Sequence, residues 1–293
     1  MGAGVHAALF VACLLWGASF VATKVALRDV PPLTVVTIRL LVSASCFLPY
    51  LWMRRERLLR GGWPAFRKIL GLSFLGTGLH YGVQTLGLQF TSASNASLYA
   101  ATGPIAIAIV GALVLRERVG LRKGLGILLA CTGATLVSGP EILRDFDLSA
   151  HLIGDTLVFA SIVLWALFTV FGKRVTEEMG AMLLLGAASV VGALWMLPVG
   201  VGEMLVLGFS PLEIPRDAWL GILFLGVGCG FLATLLYFVA LERTESQKVG
   251  VYLYGIPPMT WLFASLILDE PLGWRLLAGT LLVVLGVIVT ERS

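Results

Sequence analysis

The sequence predicts an all-α membrane protein: ten transmembrane helices arranged as two inverted five-helix repeats around a central cavity. Three observations predict it. The first is hydropathy. A mean hydropathy of +0.94, with 13% charged residues, excludes an ordinary soluble domain, where about a quarter of residues are charged. The second is segment length. The apolar runs are about 20 residues long, enough for a helix to cross a hydrocarbon core of ~30 Å. The third is repetition. Sliding the C-terminal half back by about 150 residues puts Trp165 on Trp16 and Gly226-Val227-Gly228 on Gly76-Thr77-Gly78. A small further adjustment aligns Tyr252 with Tyr99, Pro257 with Pro104, Glu270 with Glu117, Arg275 with Arg122, Gly279 with Gly126 and Gly286 with Gly133. An odd number of spans per copy turns the second copy upside down. Inverted copies with Gly/Pro breaks at matching places are the pattern of a secondary transporter.

The ten helices are expected at 5–27, 33–53, 69–88, 94–115, 121–138, 152–172, 181–201, 218–241, 247–268 and 274–290, giving repeats over 1–139 and 152–293. Leu- and Ala-rich runs with Gly throughout suit helices, not the alternating strands of a barrel. The first run lacks a basic n-region, and Trp16 and Lys24 stand where a signal peptidase would cut, so it reads as a span. The second carries Arg39. The third and eighth are rich in Gly, which permits close helix contacts. The fourth and ninth contain Gly103-Pro104 and Gly255-Ile256-Pro257-Pro258. Each proline removes a backbone donor and pushes away the carbonyl four residues earlier, so these are candidate hinges. In the fifth and tenth, Gly126/Gly133 and Gly279/Gly286 recur every seven residues and mark packing seams.

Charge orients the chain. With the N-terminus inside, Arg54, Arg55, Arg57, Arg60, Arg67 and Lys68 fall on the cytoplasmic side, as do Arg116, Arg118, Arg122 and Lys123. The other side holds few Lys or Arg and gathers Asp29, Glu141, Asp145, Asp147, Glu203, Glu213 and Asp217. The Lys/Arg bias places both termini in the cytoplasm. The net charge of +4 is thereby explained without a nucleic acid. The segment from Arg54 to Lys68, interleaved with Leu58, Leu59 and Trp63, is expected to lie on the anionic inner surface.

Several phrases resemble a known family. They are Trp16-Gly17-Ala18-Ser19-Phe20-Val21-Ala22-Thr23-Lys24, Pro31-Pro32-Leu33-Thr34 leading to Arg39, and Phe90-Thr91-Ser92-Ala93-Ser94-Asn95-Ala96-Ser97-Leu98. The run from Pro104 to Leu115-Arg116-Glu117-Arg118 and its echo Leu268-Asp269-Glu270-Pro271 belong with them. Together, over essentially the whole chain, they resemble the EamA family of the drug/metabolite transporter superfamily. The resemblance implies two five-helix repeats around a central cavity, moving small metabolites or drugs, often outward. It implies no particular substrate. The location expected is the bacterial inner membrane.

Polar residues at helical spacing give the candidate cavity faces, because lipid offers polar side chains no partner. They are Trp16, Ser19 and Thr23; His80, Tyr81 and Gln84; Trp165 and Thr169; Thr234 and Tyr237. Asn95 and Tyr99 precede the first break, and Lys248 and Tyr252 precede the second. The plainer alternative for Ser and Thr is a bond back to their own helix. Arg39 sits roughly 6 Å from the midplane, at 1.5 Å per residue. It either bonds carbonyls at a helix end or pairs with Asp29, or it attracts a substrate carboxylate or phosphate through its planar fork. Glu117 with Arg122 and Glu270 with Arg275 read as corner salt bridges. His80 is the best central titratable group, with an ordinary pKa near 6.5.

No paired carboxylates, spaced His cluster or nucleophile–base pair stands in the spans, so the sequence does not read as an enzyme. Cys13, Cys46, Cys131 and Cys229 are scattered through the spans without metal-ligand spacing, as packing residues are. No catalytic residue, metal or cofactor is expected. The partners expected are a small-molecule substrate and the lipid bilayer; a monomer is plausible. The substrate expected is a small amphipathic metabolite with an anionic group, such as an amino acid. A channel or a small-molecule sensor is the alternative.

Overall fold

A computed structural model describes residues 2–91, 93–116, 120–138, 152–268 and 274–292. Among them there is no strand. In chain order the helices are α1 (Ala3–Ala26), α2 (Pro32–Met53), α3 (Arg55–Arg60), α4 (Gly62–Ser73), α5 (His80–Phe90), α6 (Ala93–Ala100), α7 (Gly103–Leu115) and α8 (Leu121–Ser138). The second half supplies α9 (Leu152–Met179), α10 (Ala181–Leu207), α11 (Arg216–Leu223), α12 (Thr234–Leu241), α13 (Ser246–Gly250), α14 (Ile256–Leu268) and α15 (Trp274–Glu291). Helix, whole or interrupted, covers each expected segment. Six stretches among the described residues are long and apolar enough to cross a membrane: Ala3–Ala26, Pro32–Met53, Ile153–Met179, Ala181–Leu207, Arg216–Leu241 and Ser246–Ile267. Gly103–Leu115 and Ala278–Thr290 are shorter apolar helices.

The interruptions match between the copies. α4 joins α5 through a π-helical stretch, Phe74–Leu79, and α11 joins α12 through another, Phe224–Ala233. Both contain the repeated Gly-x-Gly, whose missing side chains lower the barrier to widening a turn. The hinge expected at Pro104 is a full break. Ala101 and Thr102 form a turn, and Pro104 lies in the first turn of α7, where a missing N–H costs nothing. In the second copy a 3₁₀ stretch, Val251–Gly255, precedes α14. Pro49 inside α2 and Pro198 inside α10 are a further matched pair.

Packing follows the same exchange. α1 lies against α14 and the α11–α12 segment, and its counterpart α9 lies against α7 and the α4–α5 segment. The self-equivalent pairs α2/α10 and α8/α15 face each other across the pseudo-twofold axis. In the α8/α15 seam Gly126 meets the carbonyl of Gly286 and Gly133 meets that of Gly279. Swapping the copies maps one contact onto the other. Across α2/α10, Gly200 packs on Thr37 and Gly186 on Leu51, again an exchanged pair. Both pairs run antiparallel, as equivalent helices must when one copy is inverted.

Two carboxylates close helix starts. Glu203, near the end of α10, accepts from the N–H groups of Leu33 and Thr34 at 3.2 and 2.7 Å and from the Thr34 hydroxyl at 2.9 Å. Glu242 accepts from the N–H of Ala181 at the start of α10. Each satisfies orphan donors and opposes the positive end of the helix dipole. His6 hydrogen-bonds to Tyr252 and shares a groove with Ile288, so α1 begins and α15 ends at one face, called here the terminal face. The corner pairs Glu117–Arg122 and Glu270–Arg275 rest on Glu117 and Glu270, which lie outside the described residues.

Candidate functional site

A cavity opens where α1, α2, α5, α9 and the two broken segments converge. About 520 Å³ lies between its walls, the open solvent at its mouth included. Ser19 late in α1, Arg39 early in α2 and Gln84 within α5 place its polar wall in the half of the bundle away from the terminal face, while Leu253 and Ile256 line it from the broken segment of the second copy. The polar lining is Ser19, Arg39, His80, Tyr81, Gln84 and the two tryptophans; Phe20, Ala100, Gly103, Ile162, Leu253 and Ile256 complete it.

Its floor is aromatic. Trp16 meets Trp165 edge to face at 5.3 Å and 83°. Tyr237 lies 5.2 Å from Trp16 and 5.8 Å from Trp165 between ring centroids, and Phe168 and Phe238 back the cluster. These distances lie within the favourable range for aromatic pairs. His80 joins the cluster 5.3 Å from Trp165. Its Nδ1–H donates to the Ser161 carbonyl at 2.8 Å, which leaves Nε2 as the acceptor of the neutral ring.

Arg39 is the one charged side chain among the described residues that line the cavity. It is 3% exposed. Its guanidinium lies 4.1 Å from the centre of the Tyr81 ring. Among the described residues no carboxylate pairs with it, and the pair with Asp29, one of the alternatives for this residue, does not form; Asp29 is exposed beyond the end of α1. Stacking on Tyr81 is worth up to ~2 kcal/mol for a desolvated cation. Removing a guanidinium from water costs several kcal/mol. The ring alone does not balance the charge.

The structure brings together Trp16, Ser19, Arg39, His80, Tyr81, Gln84, Trp165 and Gly103 at the cavity, with Tyr237 beneath it. The other candidates lie elsewhere. The Thr23 hydroxyl donates to its own helix at the Ser19 carbonyl, 2.7 Å away. Thr169 is wholly buried in the core. Thr234 donates to the Cys229 carbonyl at 2.9 Å, five residues back along the π stretch. Tyr99 faces Asp155 rather than the cavity, and Asp155 also receives the Thr91 hydroxyl at 2.7 Å. Lys248 sits on short α13, away from the lining. Tyr252 turns outward to His6. Asn95 is on α6, with its side chain outside the described residues. Pro104 and Pro257 are buried beside the breaks, and Gly255 packs on Cys13. Phe20, Ala100, Ile162, Leu253 and Ile256 were not expected in the lining. Ile162 stands one turn before Trp165, the only sequence cue for any of them.

Three side-chain contacts bridge helices at the terminal face. Lys123 pairs with Glu245 between α8 and the approach to α13. Arg174 donates to the Val114 carbonyl between α9 and α7. Lys68 and Glu178 pair at 2.6 Å between α4 and α9.

Two inverted helical repeats around a cavity inside a multi-pass membrane bundle define a membrane transporter. The chain belongs to the EamA-like transporter family, which it matches over residues 4–139 and 152–292. An uncharacterized transporter of Archaeoglobus fulgidus is 28% identical over 278 residues, 95% of each chain. The uncharacterized transporter YvbV of Bacillus subtilis is 29% identical over 281 residues, 96% of this chain and 89% of that one. A solved crystal structure superposes with a TM-score of 0.78 at 19% identity, covering 98% of this chain and 97% of that one; this likeness speaks for the fold.

Proposed function

We propose that the protein is a secondary transporter that exports small amphipathic metabolites bearing an anionic group, amino acids or related compounds, by alternating access. The observation that carries the substrate class is the buried Arg39 guanidinium in the cavity wall, which pairs with no carboxylate among the described residues. A ligand carboxylate would supply the missing charge through a bidentate contact. The aromatic floor offers an apolar side chain a flat surface, and Ser19, Gln84 and His80 Nε2 offer hydrogen bonds to an amino group. No metal, cofactor or catalytic group enters this reading.

The ion pairs closing the terminal face, together with a cavity in the opposite half, support one end state of a rocking bundle. In the mechanism proposed, the repeats over 1–139 and 152–293 exchange roles about the breaks at Gly103-Pro104 and Gly255-Pro257. The Lys/Arg bias supports a cytoplasmic terminal face in a bacterial inner membrane, so the cavity would open outward. The family resemblance supports the export direction.

Counterflow in proteoliposomes tests the reading, with a panel of amino acids set against their carboxamides. The expected result is saturable exchange of the acids, a drop of about a hundredfold in their kcat/KM for Arg39→Gln, and partial recovery in Arg39→Lys, which keeps the charge and loses the fork. Little change for the carboxamides is expected. Equal loss of acids and carboxamides in a variant of normal membrane abundance would remove Arg39 from recognition. Flux without counterflow would favour a channel.

A further inference from the structure

We propose that the elbow joining α2 to α4 is a binding site for one anionic phospholipid, with its phosphate on an arginine cluster and its acyl chains in the apolar crevice alongside. The proposal is independent of the substrate. Arg54, Arg55, Arg57 and Arg60 share one hollow with Trp52, with about 820 Å³ of empty space. Among the described residues the only carboxylate lining it is that of Glu56, which reaches Arg60 at 3.5 Å while both side chains stay largely exposed. Three positive charges remain in excess. The Arg55 guanidinium lies 4.9 Å from the centre of the Trp52 ring, an arrangement that holds it at the hollow's edge.

Short α3 separates this hollow from a second one. The crevice holds about 890 Å³ of empty space and is lined by Leu51, Leu58, Trp63, Phe66, Val190 and Val191. Gly62, with φ +57, turns the chain from α3 into α4, and Trp63, Phe66 and Ile69 of α4 line one side of the crevice. Trp63 and Phe66 stack at 5.6 Å and 28°, yet Trp63 remains 65% exposed. An arginine-lined hollow beside an aromatic-rimmed apolar crevice matches a molecule with an anionic head and hydrocarbon chains. A free phosphate would fill only the first hollow. A neutral lipid would leave the arginines without a partner.

The matching elbow of the second copy, between α10 and α11, carries Glu203, Glu213, Arg216 and Asp217. It has no such cluster, so the lipid preference belongs to the terminal face alone. Clusters of Lys and Arg at a membrane surface select anionic headgroups in this way. Because Leu51 and Val190 belong to the self-equivalent α2/α10 pair, the bound lipid braces one end of that pair.

The test uses the full chain in detergent, titrated with phosphatidylglycerol, phosphatidylcholine or inorganic phosphate. Native mass spectrometry reads binding and tryptophan fluorescence reads melting. Phosphatidylglycerol should bind at least about tenfold tighter than phosphatidylcholine and raise the melting temperature, while phosphate should not. The variant Arg54→Gln/Arg55→Gln/Arg57→Gln/Arg60→Gln should bring the two lipids level. A variant with the same charge loss elsewhere on that face, Arg116→Gln/Arg122→Gln/Lys173→Gln/Arg243→Gln, should keep the preference. Val191→Trp should weaken both lipids by filling the crevice. Equal binding of the two lipids by the unmodified protein overturns the site. So does loss of preference in the control variant, which would mean diffuse surface charge, or a full melting shift from phosphate alone.

Discussion

The two repeats share a frame and differ in their chemistry. Trp16 and Trp165 take equivalent places in the cavity floor, and both copies carry a π stretch and a broken segment at matching positions. The polar wall is one-sided. Arg39 has Ala188 as its counterpart, His80 has Gly230, Tyr81 has Phe231 and Gln84 has Thr234. The difference separates two demands. On the proposed mechanism, a carrier that rocks between two states needs them within a few kcal/mol of each other, a balance that the matched seams and breaks of the two copies would favour. Recognition on that mechanism needs only one well-built wall, because one cavity would serve both sides. Symmetry is therefore retained in glycines, breaks and aromatic anchors, while charge is free to settle on one copy.

Replacing the two tryptophans sharpens this contrast most. Their positions are equivalent, but Trp165 also touches His80, Phe168 and Phe238, while Trp16 meets Trp165 and Tyr237. Trp165→Ala should cost about 3–5 kcal/mol of stability, the range for a buried Trp. Trp16→Ala should cost about 1–3 kcal/mol less, because it lacks the two phenylalanine contacts of Trp165, each worth ~0.5–1.5 kcal/mol. Melting of the purified variants in one detergent gives the comparison. Equal losses would mean that the chemical asymmetry stops at Arg39 and does not reach the floor.

The α8/α15 seam gives the opposite expectation, equality. A Cβ added at Gly133 would lie 2.6 Å from the Gly279 carbonyl and 2.7 Å from the Val283 nitrogen; one at Gly286 would lie 2.6 Å from the Gly126 carbonyl and the Ala130 nitrogen. These are backbone atoms that cannot step aside, so the helices must separate. Gly133→Ala and Gly286→Ala should each cost about 1–3 kcal/mol, with values within ~0.5 kcal/mol of one another. A wide gap between them would break the pseudo-twofold description of this seam.

Much of this was legible in the residues. The helices, their inversion and the positions of the breaks follow from hydropathy, span parity and the repeated Gly/Pro pattern. The cavity residues foreseen are those on unbroken helical runs, where the spacing i, i+3, i+4 holds: Trp16 with Ser19, and His80 with Gln84. Extrapolation failed where the helix changed pitch. Tyr99 and Tyr252 stand close to the breaks, and a turn or 3₁₀ stretch rotates each residue by more than the α-helical step, which carries the ring to another face. Thr234 follows a π stretch, which rotates it by less and brings the carbonyl five residues back within reach. Thr23 bonded to its own helix, the ordinary habit of a hydroxyl in a span. Leu253 and Ile256 gave no signal and Ile162 only its place one turn before Trp165, since an apolar side chain facing a cavity reads the same as one facing lipid. The role of Glu203 was hidden for a different reason: it caps α2 from 170 residues away, and no local pattern announces so distant a partner.

That cap supplies the smallest effect and the last contrast. α2 and α10 are equivalent helices, yet their starts are closed by residues that are not equivalent. Glu203 binds the start of α2 through both carboxylate oxygens, and Glu242 binds the start of α10 through one. Glu203→Gln keeps the shape and one acceptor oxygen but loses the charge facing the helix dipole, which costs about 1–2 kcal/mol. Glu242→Gln has fewer bonds to lose and should cost about half as much. Hydrogen exchange at the amides of residues 33–35 and 181–183 localises each loss to its own helix start. If Glu203→Gln left the first set protected, the carboxylate would be closing the two helices against each other without capping either, and the shared frame of the repeats would owe nothing to these unmatched ends.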